Sequence, residues 1–372
     1  MPNKKIFIIA GEKSGDTHAS NLIKELKKSN PTLEIHGLGG PQMKEAGCNL
    51  FFNMMDISVI GFIEVLKHIR IYKKIFYETL NFILKNNFDE VVFIDYPGFN
   101  LRLLSKIRKY NKNIKLIYYI SPQLWAWHTS RVEIIKKCAD KMLVIFPFEV
   151  EFYKKHGYDN VVFCGHPLMD SKEFAQENNE VRDERLIGLF PGSRVSEIKS
   201  NLPCMLKSAM LLKQKGNYEF CIASANNKCK AVIEKIIKLE SAEFVKLTTD
   251  AYDLMRKAKL VVTASGTATV EIACMNTPMI IVYKVSFLTW VIAKFLVKVD
   301  HIGMVNIIGG SRIVPELVQY DFIPEKVVSH IEDMINNKEK YAQVKEKLNF
   351  VKNKLGMKGA SYKAAQEILS YV

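Results

Sequence analysis

Carboxylates follow two of the apolar runs in the first half of the chain. Asp95 comes directly after the run EVVFI, while Glu12 and Asp16 lie in the segment that follows KIFIIA. A carboxylate in a ligand cleft can accept the proton of an attacking hydroxyl, so Asp95 is the candidate general base, with Glu12 or Asp16 in reserve. A turn or helix cap is the alternative role, open for Asp95 and also for Ser14 or Asp16 at the start of the next helix.

Glycine turns follow two apolar runs in the second half. The sequence PGSR at 191–194 follows LIGLF, and SGT at 265–267 follows KLVVTA. Free amides at a helix N-terminus attract anions, and an arginine adds charge-assisted hydrogen bonds, so we expect a nucleotide diphosphate here. A carboxylate about one turn into the second helix can reach ribose hydroxyls. The predicted contacts are Ser193, Arg194, Ser265, Gly266, Thr267 and Glu271.

Two of the three tryptophans lie within one short segment. Trp125 and Trp127 belong to SPQLWAWH, which follows the apolar run KLIYYI. Their amphipathic rings suit contact with a sugar or an acyl chain, and packing in the core explains them equally well. We therefore keep both interpretations for this segment.

The elements that must position these residues alternate along the chain. Apolar, β-rich runs are followed by amphipathic segments at 17–29, 101–110 and 131–138, and the alternation resumes from LIGLF onward. Continuous apolar strands flanked by helices are typical of a parallel sheet covered on both faces, so the predicted class is α/β. Ligands of such sheets bind beyond the carboxyl ends of the strands, where all the segments above lie.

The length of the chain favours two domains. A chain of 372 residues exceeds one small core, and the polar segment Asp170–Arg185 has no apolar periodicity. We expect this segment to connect two doubly wound, Rossmann-like domains that face each other across a cleft.

Composition restricts the partners and the compartment. The net charge of +14 suits a polyanion, and without a nucleic-acid motif it favours a membrane or phosphates. The seven cysteines contain no C-x-x-C pair, which argues against zinc, and their odd number indicates a reducing compartment. The N-terminal run is too short for a signal peptide, and Tyr283–Val299 is interrupted by lysines. We therefore expect a cytoplasmic protein.

The segment from Phe62 to Tyr77 combines an apolar stripe with basic neighbours. Helical spacing places Ile63, Leu66 and Ile69 near the stripe. Such a stripe is usually the core face of a helix, and its basic rim also suits an anionic membrane surface. We favour membrane docking, with Tyr283–Val299 as a second candidate surface.

These segments, taken in order, resemble the bacterial lipid-A-disaccharide synthases. The resemblance extends from the first strand to about Leu317 and is more specific than any single motif. The matching stretches are AGEKSGD (10–16), GLGGPQM (37–43), ISVIGFIEVLKHI (57–69), FIDYPGFNLRL (93–103), YYISPQLWAWHTSRV (118–132), FPFEVEFYKKHG (146–157), GHPLMD (165–170), FPGSRVSEI (190–198), TASGTATVEIA (263–273) and VNIIGGSRIVPEL (305–317).

The resemblance implies a GT-B fold and a metal-independent, inverting transfer without a cofactor. The implied reaction joins UDP-2,3-diacylglucosamine to 2,3-diacylglucosamine 1-phosphate through a β(1→6) bond. Functional residues of the family fall on Asp95, Arg194 and Asn306. The segment 305–312 departs from the expected pattern, which leaves the role of Arg312 open.

The resemblance also implies a domain arrangement and a location. We expect an acceptor-binding domain at 1–169, a UDP-sugar-binding domain at 170–357, and a C-terminal helix at 358–372 that packs back on the first domain. An acceptor that resembles a membrane lipid implies a peripheral position on the inner face of the inner membrane.

Three alternatives stay open at this point. The first two are another GT-B UDP-sugar transferase and a UDP-sugar epimerase, and the third is a non-catalytic basic protein that binds membranes or nucleic acid. The sequence does not fix the oligomeric state, and a homo-oligomer is compatible with it.

Overall fold

The computed structural model describes residues 4–55, 65–175, 181–285, 290 and 300–370. The chain forms two compact units, one of Met1–Asp170 with Leu355–Val372 and one of Ser171–Lys354. Each unit contains one sheet in which every strand pair is parallel. The predicted α/β class with two parallel sheets is therefore confirmed.

The first unit contains a seven-stranded sheet in the order β3-β2-β1-β4-β5-β6-β7. Its strands are β1 (Lys5–Ala10), β2 (Glu34–Gly39), β3 (Asn49–Asn53), β4 (Glu90–Ile94), β5 (Lys115–Tyr119), β6 (Lys141–Val144) and β7 (Val161–Phe163). Its helices are α1 (Lys13–Ser29), α2 (Pro41–Glu45), α3 (Val65–Lys85), α4 (Pro97–Tyr110), α5 (Val132–Cys138) and α6 (Pro147–Lys155), with 3₁₀ turns at Thr129–Arg131 and Pro167–Asp170.

The second unit contains a six-stranded sheet in the order β10-β9-β8-β11-β12-β13. Its strands are β8 (Asp183–Phe190), β9 (Glu219–Ala223), β10 (Lys246–Thr248), β11 (Ala258–Ala264), β12 (Met279–Tyr283) and β13 (Glu316–Val318). Its helices are α7 (Lys172–Ala175), α8 (Val195–Lys215), α9 (Asn227–Leu239), α10 (Ala251–Lys257), α11 (Ala268–Cys274), α12 (Met304–Gly309), α13 (Pro324–Asn336) and α14 (Lys338–Lys354), with a 3₁₀ turn at Gln319–Asp321.

The central strands are apolar because helices cover both of their faces. In β1 the side chains of Ile6, Phe7, Ile8 and Ile9 are fully buried. Each side chain of this kind contributes about 1.5–3 kcal/mol on burial. The continuous apolar runs read from the sequence are therefore core strands.

The order of the strands fixes where ligand loops can lie. In the first unit the chain builds outward from β1 through β2 and then returns to place β4 on the other side of β1. In the second unit β8 lies in the same way between β9 and β11. The carboxyl ends of strands at such a reversal flank a crevice, which is where doubly wound sheets bind ligands.

Several element boundaries differ from those expected. Helix α1 begins at Lys13, and Glu12 is its N-cap residue, so Ser14 and Asp16 lie inside the helix and do not cap it. The expected connection Asp170–Arg185 is partly regular, because α7 lies within it and β8 already begins at Asp183. The first residues of β8 are polar and partly exposed, so the sequence pattern did not identify them as part of a strand.

A final helix, α15 (Ala360–Leu369), belongs to the first unit. It packs against α1, and the carboxylate of Asp170 accepts hydrogen bonds from the backbone amides at its start. The end of the chain thus completes the layer of helices on the first sheet.

Two predicted membrane segments are only partly described. Ile63 lies outside the described residues, and Leu66 and Ile69 lie in α3 where the side chains are outside the described part. Most of Tyr283–Val299 is also outside it. Among the helices that are described, none has the length and apolar character to cross a membrane.

Candidate active site

Asp95 lies at the end of β4 in an unusual backbone conformation. Asp95 and Tyr96 have φ angles of 45° and 48°, a left-handed region that costs energy for residues with a Cβ. The Asp95 carbonyl holds this bend, since it accepts from Tyr118 Oη at 2.6 Å and from Asn100 Nδ2 at 2.8 Å. The bend is therefore imposed by buried neighbours from β5 and α4.

The side chain of Asp95 is largely enclosed, and its pKa is raised. Tyr96 is the N-cap residue of α4 and no side chain caps this helix, so the capping alternative for Asp95 is not what the structure has. Burial, and then the charge of Glu12, raise the pKa of Asp95 to about 6. A carboxylate with a pKa near the working pH is an effective general base.

The first loop lies beside Asp95. The Tyr96 ring passes against Gly11, where a Cβ would come within 2.4 Å of three ring carbons. Glu12 is exposed in the same loop. The structure therefore brings Glu12 and Asp95 together, as carboxyl ends of adjacent strands must be.

Asp16 has a different task from the one we expected. It is buried, and its two carboxylate oxygens accept from the backbone amides of Gly40, Gln42 and Met43 at 2.9–3.1 Å. These amides start α2, so Asp16 caps that helix from a distance of more than 20 residues in sequence. This geometry argues against Asp16 as a base and leaves Glu12 as the reserve.

The two tryptophans of the segment after β5 differ in exposure. Trp125 is half-buried and donates from Nε1 to Glu149 Oε1 at 3.2 Å. The side chain of Trp127 is 49% exposed, which core packing does not explain. The segment thus combines an anchored ring with an accessible one on the carboxyl side of the first sheet.

The turn after β8 combines a glycine, an exposed arginine and a capping carboxylate. Gly192 has a φ of 119°, and a Cβ there would lie 2.6 Å from Glu197 Oε2. Glu197 accepts from the amides of Ser193 and Arg194 and pairs with the Arg194 guanidinium at 2.7 Å. A diphosphate at this turn would compete with Glu197 for the same donors.

The turn after β11 is the neighbour of the first in space. Thr263 and Phe190 are paired in register just before the two turns, so the turns leave the sheet side by side. Gly266 has a φ of 155° and open space where a Cβ would be, and Thr267 is exposed. Ser265 is less available, because its Oγ donates to the Ile302 carbonyl at 2.8 Å.

Glu271 on α11 has a partner that the sequence did not indicate. The hydroxyl of Tyr252 donates to Glu271 Oε1 at 3.3 Å, and burial raises the pKa of Glu271. Tyr252 lies on α10, 19 residues earlier, and only the packing of the two helices brings it to this carboxylate. The pair stands close to the second turn and leaves oxygen lone pairs for hydroxyl ligands.

Asn306 is a structural residue in this conformation. It is fully buried, and its Nδ2 donates to Val314 O and Glu316 Oε1 while its Oδ1 accepts from the amides of Ile313 and Val314. All four hydrogen-bonding positions of an asparagine are then in use. A direct contact between Asn306 and a diphosphate stays a prediction, and it would have to replace one of these hydrogen bonds, whereas Arg312 is exposed.

No cluster of three or more histidine, cysteine, aspartate or glutamate side chains suited to a metal ion occurs in the described part of the chain.

Comparison with known proteins gives the family. The sequence profile described as lipid-A-disaccharide synthetase matches residues 6–371. A lipid-A-disaccharide synthase of Geobacter metallireducens is 39% identical over 376 residues, which cover 99% of this chain and 97% of that protein. Another from Trichlorobacter lovleyi is 39% identical over 379 residues, with 99% and 98% covered.

Solved structures agree on the fold at low identity. A Staphylococcus aureus MnaA structure with UDP matches with a TM-score of 0.65 and 16% identity, covering 99% of this chain and 96% of the other. The kitacinnamycin glycosyltransferase matches with a TM-score of 0.67 and 12% identity, covering 100% and 99%. These neighbours confirm the expected GT-B class of fold. The match over nearly the whole length shows that the chain belongs to the lipid-A-disaccharide synthase family.

Proposed function

We propose that the chain joins UDP-2,3-diacylglucosamine to 2,3-diacylglucosamine 1-phosphate by a β(1→6) bond and releases UDP. Family membership over residues 6–371 carries this proposal. The site adds a carboxylate with a raised pKa in the first unit and two glycine turns at a strand reversal in the second. The acceptor therefore binds the first unit and the UDP-sugar the second.

The proposed step is a direct displacement at the anomeric carbon. Asp95 takes the proton of the acceptor 6-hydroxyl. At the same time the oxygen of that hydroxyl forms a bond to the anomeric carbon of the donor. The bond from that carbon to the diphosphate oxygen breaks, its electron pair leaves with UDP, and the configuration inverts. A base with a pKa of about 6 is mostly ionised at neutral pH and can accept the proton.

The second unit stabilises the departing diphosphate. The amides at Ser193, Gly266 and Thr267 and the guanidinium of Arg194 are the donors that face the developing charge. The Arg194 side chain pairs with Glu197 and is 76% exposed, so a diphosphate that displaces Glu197 can reach the guanidinium. Glu271 accepts from ribose hydroxyls beside the second turn.

We further propose that the protein works at the inner face of the inner membrane as a peripheral protein. The described part of α3 presents basic and apolar groups together: Arg70, Lys73 and Lys74 are exposed, as are Ile71 and Tyr77. Ile75 on the same helix is buried in the core. A basic surface with exposed apolar side chains suits an anionic bilayer, where the acylated substrates reside.

Product analysis tests the proposed reaction. The purified chain is incubated with UDP-2,3-diacylglucosamine and 2,3-diacylglucosamine 1-phosphate, without added metal. Mass spectrometry then measures the disaccharide 1-phosphate and UDP. Formation of both in equal amounts is the expected result. UDP-sugar recovered as an isomer would indicate an epimerase, and tight UDP binding without turnover of either substrate would contradict the proposed transfer.

A further inference from the structure

Glu149 is a buried carboxylate that the mechanism above does not use. It is the third residue of α6 and its side chain is 1% exposed. Burial raises the pKa of Glu149 to about 8, against the effect of its hydrogen bonds. A buried carboxyl group is costly unless its oxygens are satisfied, so its partners show what it does.

One oxygen of Glu149 serves its own helix. Glu149 Oε2 accepts from the amides of Phe146 at 3.1 Å and Ile145 at 3.3 Å. A glutamate at this position that reaches back to the N-cap amide is the usual capping arrangement. This cap requires only one oxygen.

The other oxygen holds a different loop. Glu149 Oε1 accepts from Trp125 Nε1 at 3.2 Å, and the Trp125 ring meets the Phe148 ring edge-on at 5.1 Å. An indole is only a donor, so this bond fixes the direction of the ring. The contact spans 24 residues and joins the segments that follow β5 and β6, which are adjacent strands.

A second bond ties the same loop to the same face of α6. Ser121 Oγ lies 2.8 Å from Tyr153 Oη, and Tyr153 is four residues beyond Glu149, one helical turn on. The loop from Ser121 to His128 is therefore fastened at two points to one helix. Trp127, two residues after the attachment at Trp125, is exposed.

The loop begins beside the candidate base. Tyr119, the last residue of β5, accepts from the Asp95 amide at 3.1 Å, and Tyr118 donates to the Asp95 carbonyl. Any shift of the loop therefore alters the wall next to Asp95. The hydrogen bonds of Glu149 and Tyr153 hold this loop against α6.

We propose that Glu149 is a positioning residue that holds the Ser121–His128 loop, through Trp125, in the conformation that receives the acylated acceptor beside Asp95. This rests on the proposed function, because it assigns the loop to the acceptor. Glu149 itself does not touch substrate. Its second oxygen is what distinguishes it from an ordinary helix cap.

The test compares Glu149→Gln and Trp125→Phe with the control Glu151→Gln, an exposed glutamate on the same helix. In Glu149→Gln the amide oxygen still caps α6, but the NH₂ group meets the indole N–H, so two donors oppose each other. We expect the KM for the acceptor to rise by roughly 10- to 100-fold, the effect of a small misplacement, with UDP affinity unchanged. The opposed donors should also lower the melting temperature of Glu149→Gln by a few degrees. Trp125→Phe gives the same rise, the double variant adds little to it, and the control behaves as wild type.

An unchanged acceptor KM in Trp125→Phe would overturn the proposal, and so would a lower melting temperature with unchanged kinetics in Glu149→Gln. If Glu149→Gln fails to fold, Trp125→Phe decides, since it leaves the cap of α6 intact. A wild-type chain that forms no disaccharide would instead refute the proposed function, whatever the variants do.

Discussion

At the scale of single residues, the site separates two neighbouring carboxylates by their environment. Glu12 is exposed to water, whereas Asp95 is largely enclosed and feels the charge of Glu12. Burial and a like charge both disfavour the ionised form of Asp95. The pKa of Asp95 is thereby raised to about 6, which allows this carboxyl group to exchange a proton near neutral pH.

Replacing Asp95 by Asn removes the proposed base and keeps its size. We expect turnover to fall by roughly 10²–10⁴-fold, with UDP affinity nearly unchanged, because the proposed diphosphate contacts lie in the other unit. Steady-state kinetics and UDP titration measure the two quantities, and Asp159→Asn, at an exposed site in the same unit, is the control. Equal losses of stability and turnover would instead indicate a structural role for Asp95.

The pH dependence of the reaction reports the Glu12–Asp95 pair. Because Asp95 must be ionised to accept a proton, activity is lost as the pH falls through about 6, the pKa of Asp95. Glu12→Gln removes a charge that raises this pKa, so the acid limb of kcat/KM should move to lower pH. If the acid limb stays at the same pH in Glu12→Gln, the charge of Glu12 does not influence the pKa of the base.

Arg194 is the charged donor of the proposed diphosphate site. Arg194→Ala should weaken UDP binding by about 1.5–3 kcal/mol, the value of a hydrogen bond to a charged group. Calorimetric titration with UDP measures this, with Lys199→Ala, an exposed cation on the same helix, as the control. If Arg194→Ala binds UDP as tightly as the wild type, Arg194 does not contact the diphosphate.

At the scale of elements, helix α3 has two kinds of surface. Ile75, Leu80 and Ile83 are buried in the core of the first unit, and the exposed basic residues Arg70, Lys73 and Lys74 precede them on the helix. The apolar stripe that the sequence places at 62–77 therefore continues on a helix that already has a core face. Whether the segment also has a second apolar face depends on the residues before Arg70.

Replacing Ile63, Leu66 and Ile69 by Ser tests membrane docking by this stripe. We expect less sedimentation with anionic vesicles and easier purification without detergent, since apolar area no longer enters the bilayer. The melting temperature should change little. Leu239→Ser, at an exposed apolar residue on α9, is the control, and a large fall in melting temperature of the triple variant would identify the stripe as core.

At the scale of the whole molecule, the end of the chain stabilises its beginning. Helix α15 packs on α1, and Asp170 accepts from the amides of Gly359, Ala360 and Ser361 at 2.7–3.1 Å. These contacts join residues about 190 positions apart in sequence. The first unit is therefore built from two segments of the chain, and the second unit lies between them in the sequence.

Asp170→Ala leaves the first amides of α15 without a partner. We expect a loss of about 0.5–2 kcal/mol in the free energy of unfolding of the first unit, the usual cost of a lost cap. Urea unfolding followed by circular dichroism measures it, with UDP binding by the second unit as an internal reference. A stability equal to that of the wild type would show that α15 does not depend on this cap.

The sequence by itself determined the parts of the protein that local pattern controls. Apolar runs predicted the parallel strands, and the residues after them predicted where ligand loops lie, because a strand buried on both faces must be apolar and its carboxyl end must turn. The segments around Asp95, Arg194 and Gly266 were found in this way. The ordered set of motifs was specific enough to indicate the family.

Only the tertiary structure decided which polar residues are free for chemistry. Asp16 and Asn306 lie in the right motifs, yet their oxygens and nitrogens are used by amides and carbonyls elsewhere in the fold. Glu149 lies in the matching stretch FPFEVEFYKKHG, yet no role was predicted for it, and its bond to Trp125 exists because β5 and β6 are neighbours in the sheet. A hydrogen bond depends on distance in space, and a sequence gives only distance along the chain, so the assignment of each buried polar group had to wait for the packed structure.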